Sequence, residues 1–107
     1  MESVVVISTL RLREDRADEA RKVIESLVAR THEDAGCLTF AAHEDAADPL
    51  TMVLVERWAS QQAVDEHSQA PYLAEAMGRV GELLAAEPEI RFLNPLGYGT
   101  ADKATLR

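Results

Sequence analysis

Basic residues are scarce in this chain. Eleven Lys and Arg stand against nineteen Asp and Glu, a net charge of −8 over 107 residues. Binding a polyanion needs clustered cations. No basic stripe is present, so nucleic acid is not an expected partner. Long apolar runs are missing as well. The longest wholly aliphatic run, Val4 to Ile7, is far too short to span a bilayer. The opening MESVVVIS lacks the charged start and long apolar stretch of a signal peptide. With one cysteine, Cys37, no internal disulfide can form. These absences point to a cytoplasmic protein without a membrane partner.

Several motifs are missing too. The sequence has no GxGxxG, no GxxxxGK[ST] and no GxSxG, which argues against nucleotide-binding and acyl-transfer enzymes. His-Glu-Asp occurs twice, at 32–34 and 43–45. Neither copy gives the His-x-x-x-His spacing that sets two ligands on one helical face, so no metal site is expected. Cys37 has no partner motif and reads as a small buried residue. There is no internal repeat and no linker. Residues 1–96 read as one domain and 97–107, GYGTADKATLR, as an exposed C-terminal tail.

What is present is a clear alternation of periods. Val4 to Arg13 reads as a strand whose two faces both begin apolar, as expected of a strand covered on both sides. Asp15 to about Asp34 reads as a helix, with Ala17, Ala20, Val23, Ile24, Leu27 and Val28 at spacings of three and four. Gly36 is placed to end that segment. Cys37 to about His43 and Thr51 to Trp58 read as strands of one hairpin. The stretch EDAADPL, 44–50, is their loop, with Pro49 preventing continuation. Ser60 is a suitable N-cap for a short helix through Gln69. Pro71 opens another helix, striped by Leu73, Met77, Val80 and Leu84 and broken by Pro88. Gly78 and Gly81 weaken that helix or allow close packing. Ile90 to Leu96 is the last strand. The order β-α-β-β-α-β in one α+β domain is the ferredoxin-like arrangement. Right-handed crossovers put both helices on one face of a four-stranded antiparallel sheet. The other face, with Val5, Ile7, Val53 and Val55, then needs a cover that a second copy can supply.

The chemistry-bearing residues gather around VLVERWASQQAVDEH, 53–67. Met52, Leu54, Glu56 and Trp58 share the strand face turned toward the helices. His67 lies on the short helix and Tyr72 opens the next. A carboxylate there can accept a proton or orient an imidazole, whose ordinary pKa of about 6.5 suits proton transfer near neutrality. Trp and Tyr offer flat apolar walls for a planar substrate. Taken singly, each residue also reads as structural: Trp58 as core, Glu56 as a partner of Arg57 or a helix cap, His67 as a solvated helix residue.

Three segments, EDAGCLTFAAHED, VLVERWASQQAVDEHSQAPYLAEAM and EIRFLNPL, resemble the antibiotic biosynthesis monooxygenase (ABM) domain. The shared features are Gly36-Cys37, Glu56-Arg57-Trp58, His67 and Ala70-Pro71, from about Val4 to Leu96. The resemblance implies a homodimeric α+β barrel made as two sheets pack face to face. It implies cofactor-free oxidation of a small quinol- or anthrone-like aromatic by O2. Other branches of the family degrade haem or handle phosphorylated autoinducer-2. Here Ser8 stands at the strand-one position where the haem-degrading branch has Asn, and His67 lies in a different register from that branch's iron ligand. The autoinducer branch lacks a Trp at the position of Trp58. The resemblance thus implies Glu56, Trp58, His67, Tyr72 and Ser8 as site residues. His67 or Glu56 would assist deprotonation, and Ser8 and Tyr72 would hydrogen-bond the developing oxyanion. An isomerase or degrading enzyme for a small, perhaps phosphorylated, metabolite is the alternative; it would need cations such as Arg57 and Arg91. A non-catalytic ligand-binding dimer is the third reading.

Overall fold

A computed structural model describes residues 3–106. The first two residues of the MESVVVIS opening, and Arg107 at the end of the tail, lie outside that range. The elements run β1 (Val4–Arg11), α1 (Ala17–Thr31), β2 (Cys37–Asp45), β3 (Asp48–Trp58), α2 (Gln61–Ser68), α3 (Pro71–Gly81), β4 (Glu89–Leu93) and α4 (Ala101–Ala104). The sheet order is β2-β3-β1-β4, and every neighbouring pair is antiparallel. This is the ferredoxin-like α+β fold expected from the period pattern.

Alternation along the strands sorts the side chains into two faces. Val6, Leu10, Phe40, Met52, Leu54 and Trp58 are buried in one cluster with Ala20, Val23, Ile24 and Leu27 of α1 and Val80 of α3. Burying each large aliphatic side chain of α1 stabilises the fold by roughly 1.5–3 kcal/mol, more than any single helix propensity supplies. On the reverse face Ile7, Val53 and Val55 remain half-buried and stand outside that cluster, whereas Val5, expected among the uncovered residues, is already buried within the protomer.

Several boundaries differ from those read in the sequence. Residues 44–50 are not a free loop: β2 runs to Asp45 and β3 starts at Asp48. Pro49 is tolerated because the β2–β3 register shifts between Glu44 and Asp45. The ladder there does not need the N–H that proline lacks. Asp45 Oδ1 accepts from Ala47 N at 2.8 Å, and Asp48 Oδ1 accepts from Leu50 N at 3.0 Å, so the two acids shape the turn. Helix α3 stops at Gly81, well before Pro88. Beyond it Leu84 makes an isolated bridge to Leu12, and Leu83 is buried. The tail carries the short helix α4, and most of its described residues are exposed.

Gly36 has a different role from the one its position suggested. Helix α1 ends at Thr31, whose hydroxyl donates to Leu27 O at 2.7 Å. Gly36 follows in the link to β2, and its carbonyl accepts from Ala59 N at 2.9 Å. A Cβ added at Gly36 would lie 2.5 Å from the Cβ of Ala63. Glycine is required here for close approach to α2.

Candidate functional site

Ser8 on β1 and Glu56 and Trp58 on β3 share the helix-facing side of the sheet. The register sets Val6 opposite Glu56 and Ser8 opposite Leu54, so Ser8 lies diagonal to the carboxylate. Ser8 Oγ donates to Glu56 Oε2 at 3.2 Å, and Trp58 Nε1 donates to Oε1 at 3.0 Å. All three residues are buried. Burial pushes the Glu56 carboxyl above its ordinary pKa, and the two donors offset part of that rise. The unfolded chain releases this proton first. The ionised carboxylate therefore weakens the fold as pH rises from 4.5 through the raised value.

His67 arrives from the helix side. Ser60 Oγ accepts from Ala63 N at 3.1 Å and caps α2. Val64 and His67, three residues apart, form its buried stripe. The imidazole lies against the indole of Trp58, with ring centroids 4.5 Å apart and a tilt of 36°. Phe40 meets the same ring edge-on at 5.8 Å. His67 Nδ1 is 2.9 Å from Tyr72 Oη, and the Tyr72 hydroxyl donates to Asp34 Oδ2. Since that hydroxyl has one hydrogen, Nδ1 must be the donor to Oη and carries a proton. Nε2 makes no hydrogen bond among the described residues. No described buried polar side-chain atom lacks a partner, so Nε2 is not sealed off. Burial lowers the imidazole pKa below 6.5, although the Asp34 charge opposes this.

These groups border a cavity of about 120 Å³ whose wall includes Ser8, Glu56, Trp58, His67, Ile90 and Phe92. Apolar cavities of this order admit a single benzene-sized ring, whereas drug-sized sites need about 300 Å³ or more. Ile90 and Phe92 are 51% and 60% exposed, so the cavity reaches the surface along β4. A porphyrin is far too large for this space. Among the described residues no Lys or Arg lines it. Arg57 points to the opposite sheet face, where its Nε donates to Ser3 Oγ at 3.1 Å, and Arg91 pairs with Ile7 on that same face. Among the described residues no three His, Cys, Asp or Glu converge to hold a metal, and no helix is long and apolar enough to cross a membrane.

The structure thus brings Ser8, Glu56, Trp58 and His67 to one cavity. Tyr72 does not line it. Its hydroxyl is committed to Asp34, so it stands behind His67 rather than facing a ligand. Asp34 carries no sequence signal for this role beyond its place in the first His-Glu-Asp copy.

The sequence profile described as antibiotic biosynthesis monooxygenase, ABM, matches residues 3–79. The chain belongs to the ABM family. This ABM protein is 32% identical over 98 residues to "Putative monooxygenase Rv0793" of Mycobacterium tuberculosis, covering 92% of this chain and 96% of the relative. The solved structure of Rv0793 superposes with a TM-score of 0.84, covering 92% of this chain and 99% of that one. A "putative antibiotic biosynthesis monooxygenase" from Caulobacter crescentus, 26% identical, superposes with a TM-score of 0.83, covering 87% and 89%.

Proposed function

We propose that this ABM protein is a cofactor-independent monooxygenase that oxidises a small phenol- or quinol-type aromatic with O2. The observation that carries this reading is a buried imidazole with a bare Nε2, lying on an indole at the wall of a one-ring cavity. The cavity volume favours a single ring; a fused anthrone-like system would have to extend past Ile90 and Phe92.

In this reading His67 Nε2 takes the proton of the substrate hydroxyl, and Ser8 with Glu56 orients the oxygen. The phenolate passes one electron to O2, giving a phenoxyl radical and superoxide. These recombine with a new C–O bond at a ring carbon that bears hydrogen, para to the oxygen in a simple phenol and ortho to it in a para-hydroquinone. The peroxide anion takes the proton back from the imidazolium. Loss of the ring C–H proton and cleavage of the O–O bond release water and leave a quinone. One oxygen atom stays on the ring and the other leaves in water. The protein supplies deprotonation, orientation and exclusion of bulk water.

A panel of phenols and hydroquinones, turned over under air and under argon with ¹⁸O2 as tracer, tests the reading. The expected result is loss of substrate only with oxygen, with one labelled atom in the product. Oxygen-independent loss, or none, removes it. Saturable binding without turnover would instead support a ligand-binding role. Handling of a phosphorylated metabolite is disfavoured, because among the described residues no Lys or Arg faces the cavity.

We also infer that two copies pair through the reverse sheet face, where Ile7, Val53 and Val55 make an apolar row. Burial of such a face is the usual driving force for association. Sedimentation equilibrium is expected to give twice the protomer mass of 11.8 kDa; a monomer at micromolar concentration would sink the inference.

A further inference from the structure

We propose that Asp34 and Tyr72 are positioning residues that lock His67 in the Nδ1–H tautomer and steady the imidazolium formed during turnover. The inference rests on the reading of His67 as the base, and it assigns work to two residues outside the substrate cavity.

The geometry is a chain of three groups from three elements. Asp34 follows the end of α1, Tyr72 is in the first turn of α3, and His67 is near the end of α2. Asp34 divides its two oxygens. Oδ1 accepts from Arg30 Nη1 at 3.0 Å, and Oδ2 accepts from the Tyr72 hydroxyl. The Arg30 guanidinium also lies 4.2 Å from the centroid of the Tyr72 ring, so one cation holds both ends of the Asp34–Tyr72 pair. With its hydrogen given to Asp34, the Tyr72 oxygen presents only lone pairs to His67 Nδ1, 2.9 Å away. The opposite tautomer would set two lone pairs against each other at that distance. Its cost selects Nδ1–H and leaves Nε2 basic.

Charge placement points the same way. His67 Nδ1 lies 3.9 Å from Asp34 Oδ2. When Nε2 takes a proton, the positive ring forms beside a fixed carboxylate, with the phenol oxygen between them. This is the logic by which a buried acid orients a catalytic histidine without itself being protonated, here with a tyrosyl hydroxyl interposed. Burial pulls the Asp34 carboxyl upward, but the Tyr72 hydroxyl and Arg30 outweigh it and hold it below its ordinary range. The Tyr72 hydroxyl is pushed up to about 12 by burial and by Asp34. Under neutral conditions the acid is therefore charged and the phenol keeps its hydrogen, as the arrangement requires.

His67 and Trp58 also border a second cavity of about 300 Å³, lined by Arg30, Glu33, Asp34 and Glu66. The Trp58–His67 layer thus separates an apolar chamber from a charged one. The Asp34–Tyr72 pair belongs to the charged side, so it can act on the imidazole without touching the substrate.

Nitrogen-15 NMR of the His67 ring tests the proposal in the resting protein, with no substrate needed. The wild type is expected to show a protonated Nδ1 and a pyridine-like Nε2. Tyr72→Phe removes the acceptor and is expected to give a mixture of tautomers. Asp34→Asn leaves one side-chain oxygen for two donors, Arg30 and the Tyr72 hydroxyl, so the hydroxyl hydrogen is no longer fixed and a mixture of tautomers is expected here too. If turnover is present, Tyr72→Phe should lower kcat by about tenfold or more with KM little changed, and Asp34→Asn should lower kcat as well. A wild-type ring protonated at Nε2, or a Tyr72→Phe ring with unchanged tautomer, overturns the proposal even if the protein oxidises phenols. The expected spectra without any turnover would sink the monooxygenase reading and leave the tautomer lock standing.

Discussion

Exchanging His67 for Gln is expected to slow oxygen-dependent turnover about 10²- to 10⁴-fold, the usual share of a positioned general base. Gln keeps roughly the volume of the imidazole and a group able to donate to Tyr72 Oη, so the packing against Trp58 and Phe40 is largely retained. It cannot take up a proton. The pH profile sharpens the test. Burial lowers the His67 pKa below 6.5, so the ring is neutral and competent at pH 7. Turnover by the wild type should fall as pH drops through that lowered value, because protonation fills Nε2. In the Gln variant this acid limb should disappear with the rate. Initial rates across pH 5–9, with circular dichroism to verify folding, provide the measurement. A variant retaining both rate and limb would move the role of base to Glu56, the other ionisable group on the cavity wall.

The largest stability effect is expected at Trp58. The indole is 1% exposed and meets Phe40 edge-on at 6.3 Å. Truncation to Ala should cost about 3–5 kcal/mol, a large part of the roughly 5–15 kcal/mol that holds a small domain together. Trp58→Phe separates packing from polarity. It keeps a ring but removes the N–H that satisfies Glu56 Oε1, leaving a buried carboxylate oxygen without its donor. A loss of roughly 1–3 kcal/mol is expected from that alone. Urea unfolding of the two variants checks the ordering. If Phe proved as stable as Trp, the indole N–H would contribute nothing and Glu56 would be satisfied by Ser8 alone.

Much of this architecture could be read from residue spacing. The strand alternation placed Leu54, Glu56 and Trp58 on one face, Ser60 announced α2, and Pro71 announced α3. Those are local signals, and local signals survive folding. The misread stretches depended on distant partners. Pro49 sits in a strand because a register shift on β2 excuses its missing N–H. Gly36 is explained by Ala63, a contact invisible to a reading of helix caps. Asp34 and Tyr72 meet across 38 positions, and no periodicity reports such a meeting. The same holds for the tyrosyl hydroxyl, expected to face a ligand and found engaged elsewhere. Residue type singled out Tyr72 but not Asp34, and the direction of each hydrogen bond emerged only from the packed chain.

The bare backbone at position 36 also has a mechanical consequence. Ala63 and His67 are four residues apart, one turn along the same side of α2. The helix rests on Gly36 at its Ala63 end and presents the imidazole at the other. Any side chain at 36 would act as a wedge under this lever and swing the ring out of register with the indole. Positions 36 and 63 should therefore tolerate change only in concert, the first gaining bulk only where the second sheds it. The reach of the imidazole would then be set by a carbon atom that the chain leaves out.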